Sequence, residues 1–208
     1  MAKKTKVGLK VPTANELAKR YPNSTLAINN DDSHLPWLPS RFLAFNYQLG
    51  GGIPFGKILE LFGEESSGKS AAALSFASVT TDLGGIVLWA DAEQAFTNDW
   101  AIKNNIDLSR VVIFRETAVE SISDWAADMA IYYRSILVNN EPILLVVDST
   151  AALDCMENIN SKMVDSKADM GNRAKAIYKM FRIRSELFYR LGISQIYINQ
   201  LRKNLGAG

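Results

Sequence analysis

The chain has 208 residues, 48% of them apolar and 22% charged, with a formal net charge of +1. That balance excludes a disordered or fibrous polypeptide and suits one α/β domain with a substantial core. One cysteine, Cys155, and one histidine, His34, exclude an intrachain disulfide, a cysteine-based zinc site and a His-rich metal centre. No apolar run is long enough to cross a bilayer and no apolar segment follows the N-terminal lysines, so no membrane partner and a cytoplasmic location are expected.

The charge is unevenly spread: residues 1–20 carry +5, residues 21–160 carry −11 and residues 161–208 carry +7. An acidic body with a basic final quarter points to local docking of a polyanion, although a merely solvated helix face gives the same count. Residues 1–40 read as an N-terminal arm for contact with another subunit, with Thr13 and Glu16 spaced as a capping box ahead of a short helix. His34 falls there, among turn formers, and is expected in a surface loop. Residues 41–208 read as the main domain, entered through Gly50-Gly51-Gly52 and Pro54-Phe55-Gly56.

Five short apolar runs follow, at 58–62, 86–90, 111–114, 143–147 and 193–198, and each predicts a buried strand. Helical stretches at 69–82, 98–104, 119–138 and 171–191 separate them. This βαβ alternation predicts a mostly parallel, twisted sheet covered by helices. Cys155 is expected to act as a small buried or half-buried hydrophobe.

Between the first strand and the first long helix lies Gly63-Glu64-Glu65-Ser66-Ser67-Gly68-Lys69-Ser70, which fits G-x-x-x-x-G-K-[ST]. In that setting the glycines let the backbone wrap phosphates, the amides point inward and the helix adds its positive end. Lys69 supplies charge to the β- and γ-phosphates, and Ser70 a hydroxyl for Mg²⁺. The segment is therefore expected to bind ATP with Mg²⁺. A metal site needs an acid, and Asp148 ends the run 143–147 at the carboxyl end of its strand, in the Walker B position. Hydrolysis needs a group that orients water. Glu93, in Asp91-Ala92-Glu93 after the run 86–90, is the candidate, the alternative being that both acids are solvated strand ends. Trp100 either stacks on adenine or packs in the core.

These residues, with their neighbours over about 42–206, resemble the bacterial RecA recombinase family. Gly51-Gly52-Ile53-Pro54-Phe55-Gly56-Lys57 looks like its approach to the first strand, Glu65-Ser66-Ser67-Gly68-Lys69-Ser70 its phosphate loop and Asp91-Ala92-Glu93 its catalytic-glutamate segment. Val146-Val147-Asp148-Ser149 is similar to its Walker B strand and Ile198-Asn199-Gln200-Leu201-Arg202 to its nucleotide-sensing strand end. The resemblance implies a P-loop NTPase of RecA type: a DNA-dependent ATPase of recombination and DNA repair. Such a protein forms a homo-oligomeric filament on single-stranded DNA, searches double-stranded DNA and exchanges strands. By position, Glu93 would activate water and Lys69 assist. Trp100 would face adenine, and Gln200 would sense the γ-phosphate and signal to a DNA-binding loop starting at Leu201.

The family's first DNA-binding loop corresponds to 157–172, which makes Met170, Gly171, Asn172, Arg173 and Lys175 candidate DNA contacts, with Arg202 and Lys203 in the second loop. On the helix after it, Ile177, Met180, Phe181, Leu187, Phe188 and Leu191 form an apolar stripe, while Lys175, Lys179 and Arg182 share another face. Two positions depart from the family pattern: Glu64 replaces a usual proline and Gln94 a usual histidine. The resemblance stops at Gly208 inside the second DNA-binding loop, so an ATPase core incomplete at its C-terminal end is expected. Two other readings use the same motifs: a RecA-fold hexameric helicase-type motor, and a non-enzymatic nucleotide-binding modulator of recombinase filaments.

Overall fold

The computed structural model describes residues 36–160 and 169–201, together with Thr13, Glu16, Lys19 and Arg20. His34, Arg202 and Lys203 lie outside the described residues. The N-terminal segment, 1–35, is a unit of its own. Within it Glu16 N–H donates to Thr13 Oγ1 at 3.3 Å and Thr13 N–H donates to Glu16 Oε2 at 2.7 Å, the reciprocal bonds of a capping box.

The main unit starts at Pro36. In chain order it runs β1 (Trp37–Leu38), α1 (Leu43–Gln48), β2 (Ile53–Pro54), β3 (Ile58–Gly63), α2 (Lys69–Asp82), β4 (Ile86–Asp91), α3 (Asn98–Lys103), β5 (Val111–Phe114), α4 (Val119–Ile136), β6 (Ile143–Asp148), α5 (Met156–Ile159), α6 (Asp169–Arg190) and β7 (Ile193–Gln200). Strands β3 to β7 form one sheet in the order β3-β7-β6-β4-β5, with every pairing parallel. The expected α/β class and all five expected strands are therefore present, but only β4, β6 and β7 are the buried strands expected: at the sheet's edges β5 is half-buried throughout and β3 buries Leu61 alone.

Alternation along the strands divides the core. Val87, Trp89, Leu144, Val146, Ile196 and Ile198 face α2, whereas Ile86, Leu88, Ala90, Ile143, Leu145, Val147 and Tyr197 face α4 and α6. Strands buried on both faces read as continuous apolar runs, which is why they stood out. On α6, Met180 and Phe188 are buried, and Ile177, Phe181, Leu187 and Leu191 pack beside them, so the apolar stripe is core. Cys155 is buried as well.

Helix α2 is buried from Ala73 through Ser78 and again at Thr80 and Thr81. Its small residues permit close packing, and three of its buried hydroxyls return to the helix's own carbonyls: Ser75 to Ala72 at 2.7 Å, Thr80 to Phe76 at 2.9 Å and Thr81 to Ser78 at 3.0 Å. This seats the first turn of α2 firmly against the carboxyl edge of the sheet.

Several boundaries differ from expectation by one or two residues. Helix α4 stops at Ile136 and α3 at Lys103, while β7 continues to Gln200, two residues past the apolar run, because Asn199 and Gln200 still pair with Phe62 and Gly63 of β3. Helix α6 begins at Asp169, so Met170 and Gly171 lie inside the helix and not in a loop.

Candidate nucleotide-binding site

Register brings the expected site residues into one row. Gly63 is paired with Gln200 across β3 and β7, and Asp91 with Asp148 across β4 and β6. All four therefore stand at the carboxyl ends of parallel strands, where open α/β sheets place their ligands. A cavity of about 310 Å³ opens there, lined by Glu65, Ser66, Ser67, Gly68, Lys69, Ser70, Glu93, Trp100, Asp148 and Gln200 among others. Its size falls in the usual range for small-molecule sites.

Two glycines bound the variable part of the loop 63–70, and they differ in what they require. Gly68 has φ +88°, with open space where a side chain would go, so its backbone conformation is what calls for glycine. At Gly63 an added Cβ would stand 2.8 Å from Ser67 Oγ, a contact that rotation of the Ser67 side chain relieves. Gly68 is the N-cap of α2 and offers no side-chain cap, and no acid occupies the helix's first turn. The first amides of α2 are thus left for an anion. Lys69 Nζ meanwhile donates to the carbonyls of Glu64 at 2.7 Å and Gly63 at 3.2 Å, holding its charge over the loop.

The two acids of Asp91-Ala92-Glu93 do different work, and neither is simply a solvated strand end. Asp91 is 1% exposed. It accepts from Ala95 N–H at 2.9 Å and Phe96 N–H at 3.3 Å, and Arg115 Nε lies 3.3 Å away. It braces the turn that carries Glu93. Glu93 itself is exposed and its Oε1 accepts from Gln200 Nε2 at 2.8 Å and from Ser149 Oγ. Its backbone N–H donates to Asp148 O at 3.2 Å.

Asp148 is buried, and that burial raises its carboxyl to a pKa of about 6. The nearby charges of Glu93 and Asp91 push the same way, against a hydrogen bond from Ser70 and the charge of Lys69. Among the described residues no cluster of three or more His, Cys, Asp or Glu side chains could hold a metal ion. Ser70 and Asp148 offer two hard oxygens side by side, which fits Mg²⁺ of the kind that takes its other ligands from substrate phosphates and water.

Trp100 is 40% exposed and lines the cavity, so its ring is not a core ring. The Thr97 hydroxyl accepts from Trp100 N–H at 3.4 Å and caps α3, fixing that helix beside the cavity. On α6, Lys175 and Lys179 are exposed and share a recess with Glu120 and Glu157. Arg173 Nη2 donates to Thr150 O at 2.8 Å. Sequence reasoning assigned no role to Ser149 or Thr150. A hydroxyl directly after a strand-end acid was the available signal.

A sheet of this order, with a phosphate loop at one strand end and acids at two others, defines a P-loop nucleotide-binding domain. The family model for the RecA N-terminal domain matches residues 13–207. The RecA protein of Cytophaga hutchinsonii is 32% identical over 197 residues, 93% of this chain and 53% of the relative. That of Petrotoga mobilis is 33% identical over 199 residues, 92% and 50% of the two chains, and that of Bacteroides thetaiotaomicron 30% identical over 209 residues, 99% and 61%. The chain belongs to the RecA family, and it spans about half the length of the curated relatives it matches. No helix among the described residues is long and apolar enough to cross a membrane.

Proposed function

We propose that this protein is a DNA-dependent ATPase of homologous recombination and repair, which assembles as a filament on single-stranded DNA, hydrolyses ATP and promotes strand exchange with a duplex. The observation that carries the reading is the meeting of Lys69, Ser70, Glu93, Asp148 and Gln200 around one cavity at the sheet's carboxyl edge. Family membership supports the recombinase reading over the helicase-type motor. Residues 63–70 bind the triphosphate, Trp100 faces the adenine, and Ser70 and Asp148 hold Mg²⁺, which when bound neutralises phosphate charge. Lys69 draws charge off the β- and γ-phosphates, Glu93 orients the attacking water and Gln200 reads the γ-phosphate.

DNA contacts fall to Met170, Gly171, Asn172, Arg173 and Lys175 at the start of α6, and to Arg202 and Lys203 beyond β7. Lys175, Lys179 and Arg182 add a basic face whose phosphate contacts give salt-dependent affinity. The test is ATP hydrolysis with and without single-stranded DNA for the wild type, Lys69→Ala and Glu93→Gln. DNA stimulation of the wild type and its loss in both variants are expected. Equal wild-type rates regardless of DNA overturn the reading.

A further inference from the structure

The segment after Asp148 is a junction of three elements. Ser149 Oγ donates to Glu93. Thr150 Oγ1 donates to Ile198 O of β7 at 3.1 Å, two residues before Gln200. Thr150 O in turn accepts from Arg173 Nη2 of α6 at 2.8 Å. One short turn, 150–152, with Ser149 as its N-cap, therefore touches the water-orienting acid, the sensing strand and the first turns of α6.

Arg173 is half-buried, and it donates there to a neutral carbonyl. A guanidinium bonds an anionic oxygen more strongly than a neutral one, and it pairs with phosphate in a two-pronged geometry that a peptide carbonyl does not offer. A phosphate brought to the start of α6 thus competes for Arg173 on favourable terms. When Arg173 leaves Thr150 O, the turn loses its tie to α6, while Ser149 and Thr150 still hold Glu93 and β7. The two arrangements of Arg173 differ in what they bond to, and such a difference is what lets one ligand bias a site elsewhere.

We propose that Arg173 is a positioning residue that couples polyanion occupancy at the start of α6 to the Glu93–Gln200 pair through the backbone of Thr150. The proposal rests on the DNA-binding reading above. It gives Arg173 a task distinct from affinity: the bond to Thr150 O makes the nucleotide site responsive to DNA.

The test uses the full chain and binding equilibria, so turnover is not required. The affinity of a fluorescent, non-hydrolysable ATP analogue is measured with and without a saturating oligothymidylate for the wild type, Arg173→Ala and Arg173→Lys. Thermal melting of each protein accompanies the titrations. The wild type is expected to bind the analogue roughly fivefold or more tightly with the oligonucleotide present, within the usual range of coupled sites. Arg173→Ala is expected to bring that ratio to about one at an oligonucleotide concentration that saturates the variant itself. Arg173→Lys, which keeps the charge without the fork, gives an intermediate ratio. A wild-type ratio retained in Arg173→Ala or Arg173→Lys overturns the proposal, even if the melting point falls. A wild type that binds both ligands without coupling overturns it alone. A wild type that does not bind the oligonucleotide overturns the DNA reading as well.

Discussion

Gln200 Nε2 donates to Glu93 Oε1 across 2.8 Å, although their strands are not neighbours in the sheet. β6 lies between β7 and β4, and Ser149, just past its end, donates to the same carboxylate oxygen. Three strand ends therefore converge on one acid. A γ-phosphate that recruits the Gln200 amide takes a donor from Glu93, leaving that oxygen freer to accept from water. Glu93→Gln is expected to lower kcat by roughly 100-fold or more, the usual contribution of a positioned general base. Nucleotide affinity should stay within about threefold, since the change touches a transition-state contact. Steady-state hydrolysis and equilibrium nucleotide binding, run in parallel, check this. A wild-type kcat would remove Glu93 from the chemistry.

Lys69 bridges the carbonyls of Glu64 and Gly63, a posture that places its ammonium inside the loop instead of in solvent. Lys69→Ala removes the charge without disturbing the core, because the helix behind it is held by Ala73 onward. We expect ATP affinity to weaken by roughly 100-fold, about 2.7 kcal/mol, with an unchanged circular dichroism spectrum. Unaltered affinity by calorimetric titration would contradict the phosphate-binding role.

The site was legible in sequence wherever chemistry and local context coincide. Residues 63–70 fixed their own setting, since the motif demands a strand before and a helix after it. The strand ending at Asp148 announced itself because both its faces are buried. Trp37–Leu38 and Ile53–Pro54, by contrast, form a two-stranded antiparallel ribbon that no apolar pattern reveals in two-residue strands. Helix α1 likewise has six residues and none of them buried, so no period marks it. The division of labour between Asp91 and Glu93 was also hidden. It depends on Arg115 and on the amides of Ala95 and Phe96 closing around Asp91.

That closure makes a stability prediction. Asp91→Ala leaves two backbone amides without their acceptor and deprives Arg115 of its charged partner. Phe96 is buried whereas Ala95 is exposed, and a buried donor stripped of its acceptor costs about 1–3 kcal/mol, so a loss of ~2 kcal/mol is expected in denaturant unfolding. Arg115 is half exposed, with 54% of its side chain accessible. Arg115→Ala should therefore cost no more than ~1 kcal/mol, because solvent screens the pair. Equal losses from the two variants would show that the ion pair, and not the amide cage, is what Asp91 supplies.

Asp148 carries the opposite balance. Its carboxyl is raised from the ordinary value to about 6 by burial, and by the charges of Glu93 and Asp91. The fold thus holds a proton that the unfolded chain has already released. The associated stability is present below the unfolded pKa, near 4, and is lost as pH rises through about 6. A displacement of roughly two units corresponds to ~3 kcal/mol. Asp148→Asn cannot ionise, so it should be more stable than the wild type at pH 7.5 by up to ~3 kcal/mol and nearly equal to it below pH 4. Comparing the two proteins cancels the carboxylates that shift the other way, such as Asp107 and Glu141. Added ATP with Mg²⁺ should reverse the order at pH 7.5, since the cation supplies the wild-type carboxylate with a counter-charge and the amide gains much less. Denaturant midpoints at both pH values, with and without nucleotide and metal, decide it. If the variant is less stable than the wild type at pH 7.5 without ligand, Asp148 is a structural anchor and not a charge kept for the metal.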